Sequence, residues 1–205
     1  MLAKCDPKGP LCVQVLKLIY NEYGNNFYSL GRIISGTLKK GAMLRVMGEG
    51  YTLEEEEDCL LKEAERLWLP QARYKIEVDH LSAGNWVLIQ GIDQSITKTA
   101  TLISADSPDT LDIFKPIDFS TEAVLKVACE PLNPSELPKM LEGLRMLSKS
   151  YPLCTTRVEE SGEHVVLGTG ELYLDSLFSD LRTQYACIEL KVSEPFPAFA
   201  ESVAD

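Results

Sequence analysis

At 205 residues, of which 45% are hydrophobic and 25% charged, the chain has ordinary globular composition and is long enough for two small cores. Its 31 acidic and 20 basic residues give a formal charge of −11, which disfavours a stand-alone nucleic-acid binder because most of the surface repels phosphate. No run reaches the ~18 apolar residues of a membrane span, and no signal peptide is recognisable, so we expect a cytoplasmic or nuclear protein that does not bind membranes.

The residues available for metal or redox chemistry are few and scattered. The six cysteines show no CxxC spacing, and the two histidines, His80 and His164, are isolated. Structural zinc needs clustered ligands, so we interpret the cysteines as reduced thiols and expect no metal site.

The first half of the chain reads as an all-β domain. Short apolar runs are separated by glycines at close spacing and sustain no helical period, which predicts a small closed barrel over residues 1–115. The runs are Leu11–Tyr20, Phe27–Ser35, Ala42–Met47, Ile76–Val78, Asn85–Gln90 and Ile96–Leu102.

An acidic block interrupts the barrel pattern and must form a solvated loop, since such charges cannot be buried unpaired. Two interpretations stay open for it: a solubilising loop, or a docking site for a basic partner. The block contains Glu54, Glu55, Glu56, Glu57 and Asp58.

The second half, residues 116–195, alternates between strand and helix periods. A strand at Leu125–Cys129 precedes a helix with N-cap Asn133 and Pro134 at its first position, which ends near Lys149. A hairpin around Ser161-Gly162, a helix opened by Gly168-Thr169-Gly170-Glu171 and a strand at Ile188–Val192 follow. The order βαββαβ predicts a ferredoxin-like domain.

Residues 196–205 resemble the beginning of another strand. We interpret them as the start of a further domain and the chain as part of a longer one.

Enzymatic function is disfavoured because a phosphate-binding Gly-x-x-x-x-Gly-Lys-Ser/Thr loop is missing: the sequence contains no Gly-Lys pair. Gly168-Thr169-Gly170 could hold an anion at a helix start, but Glu171 would repel it. The βαββαβ order also fits an RNA-recognition module, yet the two central strands lack the aromatic residues that stack bases.

Several motifs of this chain resemble the second and third domains of elongation factor 2. The strongest are Gly31-Arg32-Ile33-Ile34-Ser35-Gly36-Thr37-Leu38, Val158-Glu159-Glu160-Ser161-Gly162-Glu163-His164 and Gly168-Thr169-Gly170-Glu171-Leu172-Tyr173-Leu174-Asp175. The stretches Tyr51–Asp58 and Ala72–Ile89 are more similar to the spliceosomal branch of that family, the GTPase subunits of the U5 small nuclear ribonucleoprotein.

The resemblance implies a nuclear function in pre-mRNA splicing and spliceosome activation. It implies that GTP and magnesium bind an upstream domain of the parent protein, so this chain itself would hold no cofactor and catalyse nothing. The implied partners are the other domains of the parent GTPase, and the scaffold protein and helicase of the U5 particle, with little direct RNA binding.

Two sets of residues become candidate contact sites under this resemblance. The hypothesis for inter-domain contact is the turn and helix start containing Gly168, Thr169, Gly170, Glu171 and Asp175, while the acidic loop Glu54–Asp58 is the hypothesis for partner docking. The alternatives are the same region of ribosomal elongation factor 2, acting in translocation, or an independent RNA-binding module.

Overall fold

The protein divides into two compact units, Met1–Ile117 and Asp118–Asp205. The computed structural model describes residues 4–21, 24, 26–54, 58–107, 112–197 and 202. The sequence-based boundary at residue 115 lies close to this division. Each unit is described by itself below.

The described residues of the first unit form strands and short turns. One 3₁₀ turn, Asp93–Ser95, precedes the last strand. The strands are β1 Cys12–Asn21, β2 Asn26–Ser35, β3 Thr37–Lys39, β4 Met43–Met47, β5 Cys59–Glu63, β6 Arg66–Gln71, β7 Tyr74–Val78, β8 His80–Ser82, β9 Trp86–Gln90 and β10 Ala100–Ser104.

Eight of these strands form one antiparallel sheet in the order β5-β4-β10-β1-β2-β9-β6-β7, and β3 pairs with β8. In β1, buried side chains such as Val13 and Val15 alternate with more exposed ones, whereas β9 and β10 bury consecutive residues. Buried side chains of the strands form the main core of the sheet. They include Val13, Val15, Leu18, Ile33, Leu44, Leu67, Ile89 and Leu102. The all-β prediction for this half is confirmed by the strand content.

Gly36 shows why glycine is needed between β2 and β3. Its φ of +80° lies in the left-handed region that side chains disfavour. A Cβ there would also lie 2.6 Å from the Leu11 Cα, so a larger residue would push β1 away from the turn.

The sequence pattern missed four strands, and one prediction started too early. β5 and β6 were not predicted because Leu60-Leu61 and Leu67-Trp68-Leu69 are consecutive apolar residues rather than an alternating pattern. β3 and β8 are only three residues long. The run predicted from Ile96 becomes a strand only at Ala100, since the 3₁₀ turn occupies the preceding residues.

The second unit has five strands and two α-helices in its described residues. They are β11 Leu125–Pro131, α1 Leu137–Ser150, β12 Thr155–Val158, β13 His164–Gly168, α2 Glu171–Asp180, β14 Leu190–Val192 and β15 Phe196–Pro197. A π-helical turn, Leu181–Tyr185, extends α2, with the Ala186 N–H bonded to the Leu181 carbonyl. The predicted order of helices and strands is confirmed.

The sheet of this unit has the order β12-β13-β11-β14, with every pair antiparallel. Both helices contribute to one apolar core with the sheet, because their buried residues recur at helical spacing. Met140, Leu144 and Leu147 come from α1, and Leu174, Leu177 and Phe178 from α2.

The predicted start of the first helix is wrong by one turn. Pro134–Glu136 form a 3₁₀ turn, and α1 begins at Leu137 with Pro138 in its first turn. Asn133 makes no side-chain capping bond to the backbone; its amide instead donates to the Glu136 carboxylate at 3.3 Å. Pro138 can begin a helix as well as Pro134 can, because neither position needs a backbone donor.

The segment 196–205, expected to begin a further domain, contributes Phe196 and Pro197 to the sheet of the second unit. These residues pair with Lys126 and Leu125 of β11. The Lys126 ammonium also lies 4.9 Å from the centre of the Phe196 ring, a cation–π distance.

A candidate contact site on the second unit

The predicted contact residues lie where β13 ends and α2 begins. Gly168 is the last residue of β13, and its carbonyl accepts a hydrogen bond from Val124 at 3.1 Å. Thr169 and Gly170 form the turn, and the Gly170 carbonyl accepts the Leu174 N–H at 3.0 Å, the first hydrogen bond of α2.

Gly168 allows α2 to pack closely on the sheet. A Cβ at this position would lie 2.8–2.9 Å from the Leu174 side chain and 3.0 Å from the Tyr173 ring. Gly170 has open space around it and an extended backbone. Gly168 is therefore needed for close packing inside the unit, where it positions the start of α2.

Glu171 and Asp175 lie on one side of α2, since residues four apart are neighbours on a helix. Both are exposed, and neither forms an ion pair with another described residue. The structure thus brings together the two acidic residues of the predicted set.

These two carboxylates border a groove of about 290 Å³ between α2 and the β11–β14 edge of the sheet. Its other lining residues are mainly apolar: Val127, Leu174, Phe178, Val192, Ser193 and Pro195. Leu172, in the first turn of α2, is 84% exposed. We call this the acidic groove; its chemistry suits a partner surface that combines apolar and basic side chains.

The acidic loop of the first unit is only partly described. Glu55, Glu56 and Glu57 lie outside the described residues, while Glu54 is exposed. The Asp58 carboxylate accepts a hydrogen bond from the Gly50 N–H at 3.1 Å, and its carbonyl accepts one from Gly48 at 2.9 Å. Asp58 therefore stabilises the Gly48–Gly50 turn, a role that the run of acidic residues did not indicate.

Sequence reasoning also missed a cluster of tyrosines that connects the ends of the two helices. The Tyr151 hydroxyl donates to the Asp180 carboxylate, and the Tyr151 and Tyr173 rings meet edge to face at 5.8 Å. Burial, followed by the bond to Asp180, raises the pKa of Tyr151. Burial also raises the pKa of Tyr173 to about 12, against a smaller lowering by a hydrogen bond with the Leu153 backbone. The cluster is a packing feature that only the folded chain reveals.

Metal-binding clusters, membrane-spanning helices and disulfides are all missing from the described residues. No three of their His, Cys, Asp or Glu side chains are grouped so that they could hold a metal ion. None of the helices in this part of the chain is long and apolar enough to cross a bilayer. None of the six cysteines, all of which are among the described residues, forms a disulfide; Cys5 and Cys187 are exposed, Cys59 is half-buried, and Cys12, Cys129 and Cys154 are buried.

Comparison with known proteins defines the class of the first unit. Residues 26–103 match the family of elongation factor Tu domain 2, a span that runs from the start of β2 almost to the end of β10. The chain therefore contains a domain of the translation-factor type.

The comparison also finds spliceosomal relatives over the whole chain. It is 53% identical, over 204 residues, to the 110 kDa U5 small nuclear ribonucleoprotein component CLO and to the 109 kDa component GFL, both of Arabidopsis thaliana. It is 50% identical over 200 residues to pre-mRNA-splicing factor cwf10 of Schizosaccharomyces pombe. The alignments cover 98–100% of this chain and 20–21% of the relatives' length.

The chain is accordingly homologous to one part of the U5 components in the elongation-factor-like GTPase family. The resemblance to the spliceosomal branch, read from its motifs, is confirmed. The chain spans about a fifth of the length of these relatives.

Proposed function

We propose that the chain is the domain II–III part of an elongation-factor-2-like GTPase of the U5 particle. It acts in the nucleus, in pre-mRNA splicing and spliceosome activation. The observation that carries the proposal is the identity of 50–53% along the whole chain to proteins named as U5 components or as a splicing factor.

The second unit is a ferredoxin-like domain III in this proposal. Numbered within the unit, its four main strands have the order 2-3-1-4, all antiparallel, with the helices following the first and third strands. This is the arrangement of a split βαβ fold, and it supports the assignment made from the order of elements.

The chain contributes no catalytic group of its own in this proposal. GTP and magnesium bind another domain of the parent protein, since the sequence lacks the Gly-Lys pair of a phosphate-binding loop. The two units act as rigid modules that respond to the state of a neighbouring domain and bind proteins such as the U5 scaffold and helicase. Direct RNA binding contributes little because of the charge of −11.

The acidic groove is the surface we assign to contact with a neighbouring domain. Its apolar floor and two unpaired carboxylates give it both area to bury and a charge that selects a basic partner. The exposed Leu172 beside it adds apolar surface that a partner would remove from water.

The test is a pull-down with the tagged chain from nuclear and cytoplasmic extracts at moderate salt, followed by mass spectrometry. We expect recovery of U5 proteins, and a marked loss of that recovery when Glu171 and Asp175 are both changed to lysine. The matched control is Glu130→Lys with Glu142→Lys, which makes the same charge change at exposed positions that do not line the groove.

Recovery of ribosomes without U5 proteins would contradict the splicing assignment in favour of translocation. Equal loss of U5 proteins in both double variants would show a general charge effect and remove the role of the acidic groove.

A further inference from the structure

A second groove lies on the second unit, between α1 and the edge strand β12. It has a volume of about 190 Å³ and is lined by Leu141, Leu144, Arg145, Thr156, Arg157, Val158 and His164. None of these residues belongs to either contact site predicted from the sequence. We call it the basic groove.

The charge of this groove is opposite to that of the protein. Arg145 and Arg157 line it together with His164, while no carboxylate is among its lining residues. Neither guanidinium group forms an ion pair or a hydrogen bond with another described residue. Glu159 directly follows β12, but its carboxylate forms an ion pair with Lys126 at 3.3 Å and not with either arginine. Two arginines are thus unpaired in a chain of net charge −11.

The floor of the groove is apolar. Leu141 and Arg145 are one helical turn apart and lie on the same side of α1, beside the buried Leu144. Across from them, Val158 is 63% exposed at the end of β12. Burying the exposed Val158 side chain against a partner would remove apolar surface from water. The arginines nearby favour a partner that also carries negative charge.

The backbone of β12 is open on one side. β12 pairs with β13 and is the first strand in the order β12-β13-β11-β14, so no strand of the described residues lies beside its other side. An extended peptide can add to such an edge, using its backbone for affinity and alternate side chains for specificity. The helix α1 next to this edge turns it into a groove.

A protein segment fits this groove better than a nucleic acid does. Sites for drug-sized ligands measure about 300–1,000 Å³, so the 190 Å³ here holds side chains rather than a nucleotide. Sequence-specific RNA binding also uses aromatic stacking, and no aromatic residue lines the groove. Guanidinium groups bind carboxylates through two parallel hydrogen bonds, which favours glutamate and aspartate.

We propose that the basic groove binds an extended acidic segment of a partner protein. The segment pairs with β12. Because alternate side chains of a strand lie on opposite faces, it places its apolar side chains towards Val158 and Leu141 on the α1 side and its carboxylates towards Arg157 on the other. Arg145 attracts the negative charge of the segment from α1. This inference does not depend on the proposed function, because it uses a different surface and the opposite charge.

The test measures binding of short fluorescent peptides that alternate glutamate with leucine or valine to the 205-residue chain, by fluorescence anisotropy. We expect saturable binding, with backbone NMR shifts concentrated at Thr156, Val158 and Leu141. Arg145→Glu with Arg157→Glu should weaken binding about tenfold or more. Val158→Asp should weaken it as well, because it places a like charge at the apolar end of the groove.

The matched control is Lys139→Glu with Lys191→Glu, which makes the same charge change in the same unit outside the groove. It should bind the peptides as the unaltered chain does, and circular dichroism should show that all variants are folded. Absence of binding, or equal weakening by the control, would overturn the proposal. Tighter binding of a uridine-rich RNA at the same residues would replace it with a phosphate-binding surface.

Discussion

At the residue scale, the structure assigns roles that residue type alone could not. Asp58 belongs to an acidic run whose composition predicts only a solvated loop, yet its carboxylate stabilises a turn through the Gly50 N–H. Gly168 and Gly170 look alike in the sequence, but only Gly168 is packed against α2. Glu171 and Asp175 lie on one side of α2 because residues four apart are neighbours on a helix. What lies opposite a side chain depends on distant strands, which local patterns do not encode.

The buried hydroxyl of Tyr173 should make stability fall at alkaline pH. Its pKa is raised from about 10 to about 12 by burial, against a smaller lowering by the Leu153 backbone, so the folded state keeps the proton longer than the unfolded state. The contribution of Tyr173 to the free energy of unfolding is therefore fully present below about pH 10, and it decreases as the pH rises towards about 12.

Tyr173→Phe should reduce that decrease, and at neutral pH it should cost no more than about 1 kcal/mol, the typical net contribution of the one backbone hydrogen bond that the hydroxyl loses. The measurement is the urea midpoint of the helical circular-dichroism signal from about pH 8 to about pH 11. Tyr74→Phe, at an exposed tyrosine of β7, is the control. An unchanged alkaline profile in Tyr173→Phe would contradict the interpretation.

At the scale of elements, the helices were the most predictable part of the chain. Their apolar residues recur every three to four positions over long segments, and most of them are buried in the core of the second unit. Strands β5 and β6 were missed because they lie near or at the ends of the large sheet, where Leu60 and Leu61 are both exposed and alternation is lost. The grooves were not predictable, since each forms between a helix and a strand from separate parts of the sequence.

The contact between α2 and β13 should be sensitive to one methyl group. Gly168→Ala places a Cβ under 3.0 Å from Leu174, so the helix must move, and we expect a loss of about 1–3 kcal/mol. Gly170→Ala should change stability by less than about 1 kcal/mol, since its Cβ meets nothing within 4 Å. Chemical denaturation followed by the helical signal compares the two variants, and equal losses would argue against close packing at Gly168.

At the scale of the whole molecule, each unit has its own apolar core and its own spectroscopic signal. Both tryptophans of the sequence, Trp68 and Trp86, lie in the first unit, whereas the described α-helices lie in the second. Tryptophan fluorescence therefore reports on the first unit and helical circular dichroism mainly on the second. The boundary near residue 115 remains a prediction from local composition, and it lies close to the division after Ile117.

A matched pair of core variants tests whether the units unfold separately. Leu67→Ala and Leu177→Ala each remove a fully buried leucine, one from each unit, and each should cost about 2–5 kcal/mol. We expect Leu67→Ala to shift the fluorescence transition alone and Leu177→Ala to shift the helical transition alone. If either variant shifts both signals equally, the units unfold as one cooperative body.

The distribution of the thiols has a practical consequence. Burial raises the pKa of Cys12 to about 11 and of Cys129 to about 12, which suppresses the reactive thiolate, and Cys154 is fully buried. The exposed Cys5 and Cys187 belong to different units. With the half-buried Cys59 changed to serine, maleimide dyes would label one native site on each unit. Energy transfer between the two fluorophores would then report changes in the distance between the two units of this chain.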